Sequence, residues 1–116
     1  MTGNPYHYPR QTLVLNDDVP GARQWAVALD KVMLTYFEID PGCLFERHAH
    51  ESEQITWVLE GELIFVFDDG EIRARPGDVV AIPAGVEHAV RTDHLASKAI
   101  DAWSPPEDKY RNRGHA

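Results

Sequence analysis

Short runs of β-branched and aromatic residues alternate with turn residues along most of the chain. Residues 25–29 and 32–39 form two such runs, and Asp30-Lys31 between them predicts a β-hairpin. Further strands are predicted at residues 54–59, 62–67, 71–75, 79–82, 87–91 and 98–103. No amphipathic helical period of any length interrupts them. Short strands separated by closely spaced turns predict an all-β fold, a sandwich or small barrel of the double-sheet jelly-roll type.

The 116 residues are enough for one domain with a single hydrophobic core. Residues 1–12 have no hydrophobic periodicity and are expected to form an N-terminal arm. Residues 13–104 contain all of the predicted strands and are expected to form the folded domain. Residues 105–116 are polar and predict a C-terminal tail at the edge of that domain.

The charge and the apolar runs limit the partners and the compartment. A formal net charge of -8 argues against nucleic acid, because a phosphate backbone requires a basic face. No apolar run approaches the length of a signal-peptide core or a membrane span, so we expect a cytoplasmic protein without membrane association. The single cysteine, Cys43, cannot form an internal disulfide. The favoured interpretation of Cys43 is a small apolar filler, with a metal ligand as the alternative.

Two histidines separated by one residue, His48 and His50, point to the same side of an extended segment. Gln54 has the same parity four residues later, so the three side chains are expected to converge on one point. A fourth donor must come from a distant segment, and His88 is the candidate because glycines frame it in a comparable way. Each histidine alone could be a hydrogen-bonded core residue, but the set predicts a metal site of three histidines and one glutamine.

The donor set leaves some choices open. Glu51 and Glu53 are alternatives to Gln54, because carboxylate is the commoner ligand, although the spacing favours Gln54. Glu46 shares parity with His48 and is expected either in the pocket or in solvent. Imidazole suits zinc, iron, nickel and copper, while amide oxygen also accepts manganese, so zinc, nickel, manganese and iron are candidates for one divalent ion. Neutral ligands leave the double charge of such an ion intact, which favours Lewis-acid chemistry.

A carboxylate interrupts an apolar run near the end of the predicted strands. Asp101 lies within residues 99–103, and Trp103 points to the same side of the strand. Burying an unpaired carboxylate is costly, so Asp101 is expected either to find a cationic partner or to take part in chemistry. The functional interpretation is an acid/base residue beside an aromatic platform for a sugar. The alternative is a salt bridge from Asp101 to Arg91 or Lys98, with Trp103 in the core.

The two histidine segments resemble the paired motifs of the cupin superfamily, Gly-x5-His-x-His-x3-Glu-x6-Gly and Gly-x5-Pro-x-Gly-x2-His-x3-Asn. The first motif runs from Gly42 to Gly61, and the second begins at Gly77. Every position matches except two, where Gln54 stands in place of Glu and Thr92 in place of Asn. The resemblance implies a single-domain cupin, with a double-stranded β-helix or jelly-roll barrel around one metal ion.

A narrower resemblance is to the small pectin-degradation cupins, which convert cyclic unsaturated uronates to a linear keto form. It rests on His-x-His-x3-Gln-Ile-Thr-Trp-Val-Leu-Glu-Gly at 48–61, Ile-Pro-x-Gly-Val-x-His at 82–88, and Asp-Ala-Trp-Ser-Pro-Pro at 101–106. This resemblance implies that Asp101 and Trp103 line the catalytic pocket. It also implies a metal-binding set of His48, His50, Gln54 and His88.

The same family has an arginine after its Ser-Pro-x sequence that suits a substrate carboxylate. This chain either has Glu107 at that place or lacks the residue, and the candidate substitutes are Lys109, Arg111 and Arg23. Carboxylate recognition is therefore the point at which this chain departs from the family pattern.

Three classes of function remain open from the sequence. The resemblance favours an enzyme, a non-redox lyase or isomerase that acts on a cyclic unsaturated uronate or a similar sugar acid. An iron-dependent cupin dioxygenase is the alternative, and a polyketide-cyclase-like cupin is chemically related to the first class. The third class is a cupin that binds a small molecule without turnover.

Apolar residues at surface positions predict an assembly. Odd-numbered positions of residues 55–59 carry bulky apolar side chains, and the arm carries Tyr6 and Tyr8. One small sandwich cannot cover this much apolar surface alone. We therefore expect a homodimer.

Overall fold

The computed structural model describes residues 3–111 and residue 114 and confirms the all-β prediction. In those residues the strands are β1 (Asn16–Asp17), β2 (Ala22–Ala28), β3 (Met33–Ile39), β4 (Leu44–His48), β5 (Glu53–Glu60), β6 (Leu63–Phe67), β7 (Gly70–Ala74), β8 (Val79–Ile82), β9 (His88–Arg91) and β10 (Ser97–Ser104). Two short 3₁₀ turns, Arg10–Thr12 and Asp108–Tyr110, flank the strands. Nowhere in the described ranges is there a helix with the length and apolar character needed to cross a bilayer.

The strands form two antiparallel sheets that pack face to face as a jelly roll. The larger sheet has the order β1-β2-β3-β10-β5-β8, and the smaller has the order β4-β9-β6-β7. β10 lies inside the larger sheet, paired with β3 on one side and β5 on the other. The last strand of the chain therefore holds Asp101 and Trp103 rigidly on both sides.

The predicted hairpin is present. β2 and β3 pair in antiparallel fashion from Ala22 opposite Ile39 to Ala28 opposite Met33. The strands predicted from residue 54 onward are also present, with boundaries that differ by no more than one residue. β1 and β4 are additional strands, and β4 carries His48, the first of the predicted metal-site histidines.

Alternation along each strand decides which side chains enter the core. In β5 the even-numbered residues Gln54, Thr56 and Val58 are buried, whereas Ile55 and Trp57 are about half exposed. Both sheets contribute to the core, and its largest apolar members include Met33, Phe37, Ile39, Leu63, Phe65, Ile82 and Trp103. The bulky odd-numbered side chains of β5 therefore cover the outside of the larger sheet.

Two glycines of the motifs fix the turns around the site. Gly61 has a φ of +77°, and a Cβ there would lie 2.1 Å from the backbone oxygen of Ala96, so only glycine fits. Gly85 has a φ of +78°, and its N–H donates to the His50 carbonyl at 2.9 Å. That hydrogen bond joins the turn before His88 to the segment that carries His50.

The two ends of the chain lie differently against the strands. Residues 3–7 are exposed and belong to no regular element. Residues 105–110 instead pack across one end of the sandwich, where Tyr110 is buried and the Ser52 hydroxyl donates to the Pro105 carbonyl. The rest of the expected arm and tail, residues 1, 2, 112, 113, 115 and 116, falls outside the described ranges.

Candidate metal centre and catalytic pocket

Three histidines from different parts of the chain meet at one point between the sheets. His48 ends β4 opposite His88, which begins β9, and His50 lies two residues beyond β4. The ring centroids are 4.5 Å apart for His48 and His88, 5.1 Å for His50 and His88, and 5.4 Å for His48 and His50. One nitrogen of each ring lies within 4.8 Å of the others, which is close enough to bind a single ion.

The convergence has a different origin from the one predicted. His48, His50 and Gln54 were expected to share the face of a single extended segment, but the chain bends at residues 49–52. His48 therefore belongs to the smaller sheet and Gln54 to the larger sheet. His48, His50 and Gln54 meet because the chain crosses from one sheet to the other between residues 48 and 54.

Each histidine ring is held by a backbone carbonyl two residues away. The Nδ1 atoms of His48, His50 and His88 lie 2.7, 2.8 and 2.9 Å from the carbonyl oxygens of Glu46, Ser52 and Val86, respectively. A carbonyl oxygen only accepts, so each Nδ1 carries the proton and donates. The Nε2 atoms are then unprotonated, which is the form that binds a metal.

Three polar atoms at the centre of the cluster, His88 Nε2, His50 Nε2 and Gln54 Oε1, have no hydrogen-bond donor from the protein. His88 is 1% exposed, and its Nε2 is buried without a hydrogen-bond partner. His50 Nε2 lies 3.0 Å from Gln54 Oε1, so with Nδ1 as the donor two acceptors face each other. A cation between these lone pairs satisfies all of them at once, so the donor set fits a metal ion.

The electrostatic environment keeps His88 neutral. Burial lowers the pKa of His88 below its usual value, and the hydrogen bond to Val86 only partly opposes this. Positive charge on His48 or His50 would lower the pKa of His88 further. A neutral imidazole is the ligand form, so the ring is prepared for a cation.

Gln54 is oriented by a residue that sequence reasoning missed. The Gln54 Nε2 donates to Thr56 Oγ1 at 2.9 Å, and this bond turns Oε1 toward His50. Thr56 shares the inward parity of Gln54 on β5, and that parity was the available signal for it. The alternative ligands Glu51 and Glu53 are exposed at the surface.

Two other residues near the motif lie apart from the cluster. Glu46 has an exposed side chain and contributes only its backbone carbonyl, to His48. Cys43 is buried, and its thiol donates to the Pro20 carbonyl at 3.3 Å. Burial raises the pKa of the Cys43 thiol, and its position matches the predicted filler role.

Asp101 points into the sandwich from the middle of β10. It is 6% exposed, and its Oδ1 has no hydrogen-bond partner. Burial raises the pKa of Asp101 to about 7, although the side chains of Thr56 and Gln54 lower it in part. The alternative of a salt bridge to Arg91 or Lys98 is wrong.

Both of those cations are paired elsewhere on the surface. Arg91 binds Glu71 and Asp93, and Lys98 lies 3.5 Å from Glu60. Lys98 differs in parity from Asp101 on β10, so the two side chains leave opposite faces of the strand. Arg91 lies on β9 of the other sheet, with the parity of half-buried Ala89 rather than of buried Val90. Asp101 therefore forms no salt bridge with either cation.

Trp103 forms the wall next to Asp101. Its Nε1–H donates to Thr35 Oγ1 at 2.9 Å, and its ring centroid lies 5.2 Å from that of His50 in an edge-to-face arrangement. The buried hydrogen bond fixes the indole plane. The sequence did not indicate Thr35, which lies 68 positions away.

A small cavity of about 60 Å³, which opens to solvent, lies among these groups. Its walls are Phe37, Ile39, Phe45, His48, Gln54, Thr56, Leu63, Phe65, Val90, Ala99, Asp101, Trp103, Glu107, Lys109 and Tyr110. The residues from 107 onward come from the polar C-terminal segment, for which only the family resemblance gave a signal, at Glu107 and Lys109.

The lining residues distinguish the three cations that the sequence offered in place of the family arginine. Lys109 lines the cavity, with its Nζ 4.9 Å from the ring centroid of Tyr110. Arg23 instead binds Asp40 on the surface, and Arg111 lies near Asp108. Among the described residues Lys109 is the only lysine or arginine in the pocket wall.

Comparison with known proteins supports the fold and the motif. The profile of the cupin domain family matches residues 35–99, which is more than half of the chain. The structure of KdgF from Halomonas sp. has a TM-score of 0.81 at 25% identity and covers 90% of this chain and 98% of KdgF. An RmlC-like cupin from Shewanella frigidimarina has a TM-score of 0.83 at 22% identity and covers 91% and 96%.

Among curated proteins the similarity is local. An acireductone dioxygenase from Tuber melanosporum is 41% identical over 54 residues, which are 42% of this chain and 31% of that protein. The chain spans less than half the length of the curated relatives it matches.

Proposed function

Because the chain belongs to the cupin domain family, we propose that it is a metal-dependent lyase or isomerase that converts a cyclic unsaturated uronate, or a similar sugar acid, to its linear keto form. One observation carries the proposal. The buried carboxyl of Asp101, whose Oδ1 has no hydrogen-bond partner, faces the same cavity as Gln54 and as His48 of the three-histidine cluster. The sequence resemblance to pectin-degradation cupins supplies the substrate class.

Four residues would hold the metal: His48, His50 and His88 through Nε2, and Gln54 through Oε1. A bound divalent ion supplies Lewis acidity, which polarises a substrate oxygen. The role of the protein here is to present neutral donors in fixed orientations. The backbone carbonyls and Thr56 provide that orientation.

Asp101 would move the proton. Opening of an unsaturated uronate ring releases an enol, and its conversion to the ketone removes a proton from the enol oxygen and adds one to the adjacent carbon. No oxidant or reductant is required, since the two proton transfers balance. The Asp101 Oδ1 has no partner within the protein, so it is available to accept one proton and return another.

Trp103 and Lys109 would position the sugar acid. The indole of Trp103 is fixed by Thr35 and presents an aromatic surface to a sugar ring. Lys109 places an ammonium group in the pocket wall, where it suits a substrate carboxylate. Glu107 lies in the same wall and disfavours a second carboxylate on the substrate.

The test is the loss of ultraviolet absorbance of an unsaturated uronate with metal-loaded enzyme. Asp101→Asn is expected to lower turnover by about 10²–10⁴-fold while metal content and fold remain. Asp69→Asn is the matched control, because Asp69 is exposed in the turn between β6 and β7. Full turnover in a folded, metal-loaded Asp101→Asn protein would contradict the assigned role.

An iron-dependent dioxygenase is the second candidate, favoured by the local similarity to acireductone dioxygenases. Oxygen consumption by the iron-loaded protein and its absence with zinc would support this candidate. Uronate turnover that is equal under nitrogen and air would exclude it as the source of that activity.

A further inference from the structure

An acidic side chain in the pocket wall takes no part in the proposed proton transfer. Glu107 is half-buried and lines the cavity. Within residues 3–111 and at residue 114, no side chain forms a salt bridge or a hydrogen bond with its carboxylate. The neighbouring Asp108 differs, because its side chain is 92% exposed, lies near Arg111 and is outside the pocket wall. Glu107 is therefore a carboxylate in the pocket wall that has no cationic partner from the described protein.

The charge of Glu107 is felt inside the pocket, at Tyr110. Tyr110 is 3% exposed and lines the same cavity. Burial raises the pKa of Tyr110, and negative charge on Asp18 raises it further. Negative charge on Asp101 and Glu107 acts in the same direction. Carboxylates from three separate segments thus surround one phenol, and this part of the pocket favours positive charge.

A second carboxyl in the wall also lacks a partner. Asp101 is 6% exposed, its Oδ1 is buried without a hydrogen bond, and it lines the cavity together with Glu107. Buried polar groups that have no partner within the protein are the groups that a bound ligand satisfies. The wall therefore offers two carboxyls to a ligand.

The ammonium group of the wall is held against the ring of Tyr110. Lys109 Nζ lies 4.9 Å from the ring centroid, and the Lys109 side chain is exposed. No salt bridge joins Lys109 to Glu107, although the two residues are only two positions apart. The two charges do not neutralise each other, so the wall is complementary to a ligand that carries both a negative and a positive group.

Aromatic rings near Glu107 favour the same kind of ligand. Tyr110 lies between Phe37 and Trp103, with centroid distances of 5.6 and 5.7 Å, respectively. The face of an aromatic ring attracts a cation, and Lys109 already occupies such a position over Tyr110. A ligand ammonium in this part of the pocket is therefore attracted by the rings as well as by the carboxylate of Glu107.

We propose that Glu107 selects a ligand that carries an ammonium group, so that the substrate is an amino sugar acid with its ammonium at Glu107 and its carboxylate at Lys109. The amine selectivity follows from the pocket wall, whereas the sugar-acid part rests on the proposed function. A uronate without an amine covers Glu107 and supplies no positive charge to it. The amino sugar acid supplies that charge, and the difference between the two ligands is the source of selectivity.

The test is calorimetric titration of the zinc-loaded protein at neutral pH with galactosaminuronic acid and with galacturonic acid, which differ only in the amine. The wild type is expected to bind the amino sugar acid about 10-fold more tightly. Glu107→Gln is expected to bind the two sugars equally, because the amide keeps the shape of the side chain and removes its charge. The Tyr110 N–H donates to the backbone carbonyl of Glu107 at 3.0 Å, so this substitution leaves the local turn intact.

Asp108→Asn is the matched control, since it removes the same charge one residue away from a side chain that lies outside the pocket wall. It should retain the preference of the wild type. Equal binding of the two sugars by the wild type would overturn the proposal, as would an undiminished preference in Glu107→Gln. A preference lost equally in Asp108→Asn would trace the effect to net charge and would also overturn the role of Glu107.

A second pair of sugars separates this inference from the proposed function. Galactosamine and galactose differ in the same amine but have no carboxylate. A preference for galactosamine that depends on Glu107, in a protein that turns over no uronate, would keep the role of Glu107 and refute the proposed enzyme activity. Turnover of a uronate by a protein that shows no preference for either amine would refute the selectivity alone.

Discussion

Metal binding to the three-histidine cluster should appear as a gain in thermal stability that depends on His88. His88 is the most buried of the three histidines, and its Nε2 has no partner without a cation. A ligand that binds only the folded state raises its stability, and the unfolded chain cannot assemble ligands from β4, β5 and β9.

The size of the effect follows from the length of the chain. A free ion concentration 100-fold above the dissociation constant stabilises the folded state by about 2.7 kcal/mol. Unfolding entropy of about 2.1 cal/mol/K per residue gives about 240 cal/mol/K for 116 residues. The quotient is a rise in Tm of about 11 °C.

His88→Ala removes one of the four proposed metal-binding groups and leaves an incomplete set of three. If the affinity falls on the order of 100-fold, the same ion concentration contributes only about 0.4 kcal/mol, which is a rise in Tm of about 2 °C. His94→Ala is the matched control, because His94 is exposed and lies outside the cluster. The His94→Ala protein should retain the full rise in Tm of about 11 °C.

The assay is differential scanning calorimetry of chelator-treated protein with and without added zinc, nickel, manganese or iron, together with metal analysis. An undiminished shift and stoichiometric metal in His88→Ala would refute the site. A shift lost equally in His94→Ala would show that the ions act elsewhere on the protein.

Three further expectations follow from individual contacts. Thr56→Val removes the acceptor that orients Gln54, so metal affinity measured by titration should fall about 10–100-fold, whereas Thr56→Ser should keep it. Gly61→Ala should lower the free energy of unfolding in urea by several kcal/mol, because its Cβ would meet the Ala96 oxygen. Gly42→Ala has a similar φ in open space and should cost only about 1 kcal/mol. The raised pKa and burial of Cys43 should prevent its reaction with a thiol reagent until the protein is unfolded.

The sequence predicted best where local rules decide the outcome. Alternation and turn residues located β5 to β10 within a residue, because each strand has one buried face and one covered or solvated face. The residue types at 48, 50, 54 and 88 predicted that these side chains lie together, and they do, although parity along one strand was the wrong reason for it.

What the sequence could not predict depends on contacts between distant positions. Trp103 is fixed by Thr35, 68 positions away, and only the pairing of β3 with β10 brings the two together. Tyr110 packs against Phe37 with centroids 5.6 Å apart, yet it lies in a polar segment without periodicity. From the sequence, Arg91 could have paired with Asp101, but the strand arrangement of the smaller sheet places it beside Glu71 instead.

The hydrogen bonds that hold the histidine rings come from the same segments that carry the rings. Glu46, Ser52 and Val86 offer main-chain oxygens, which every residue type possesses, so substitutions there preserve the orientation of the imidazoles. The groups that would act on a substrate, Asp101 and Trp103, stand on a separate strand. Residues in the pocket wall can therefore be substituted one at a time without changing the orientation of the three imidazoles, because main-chain carbonyls set that orientation.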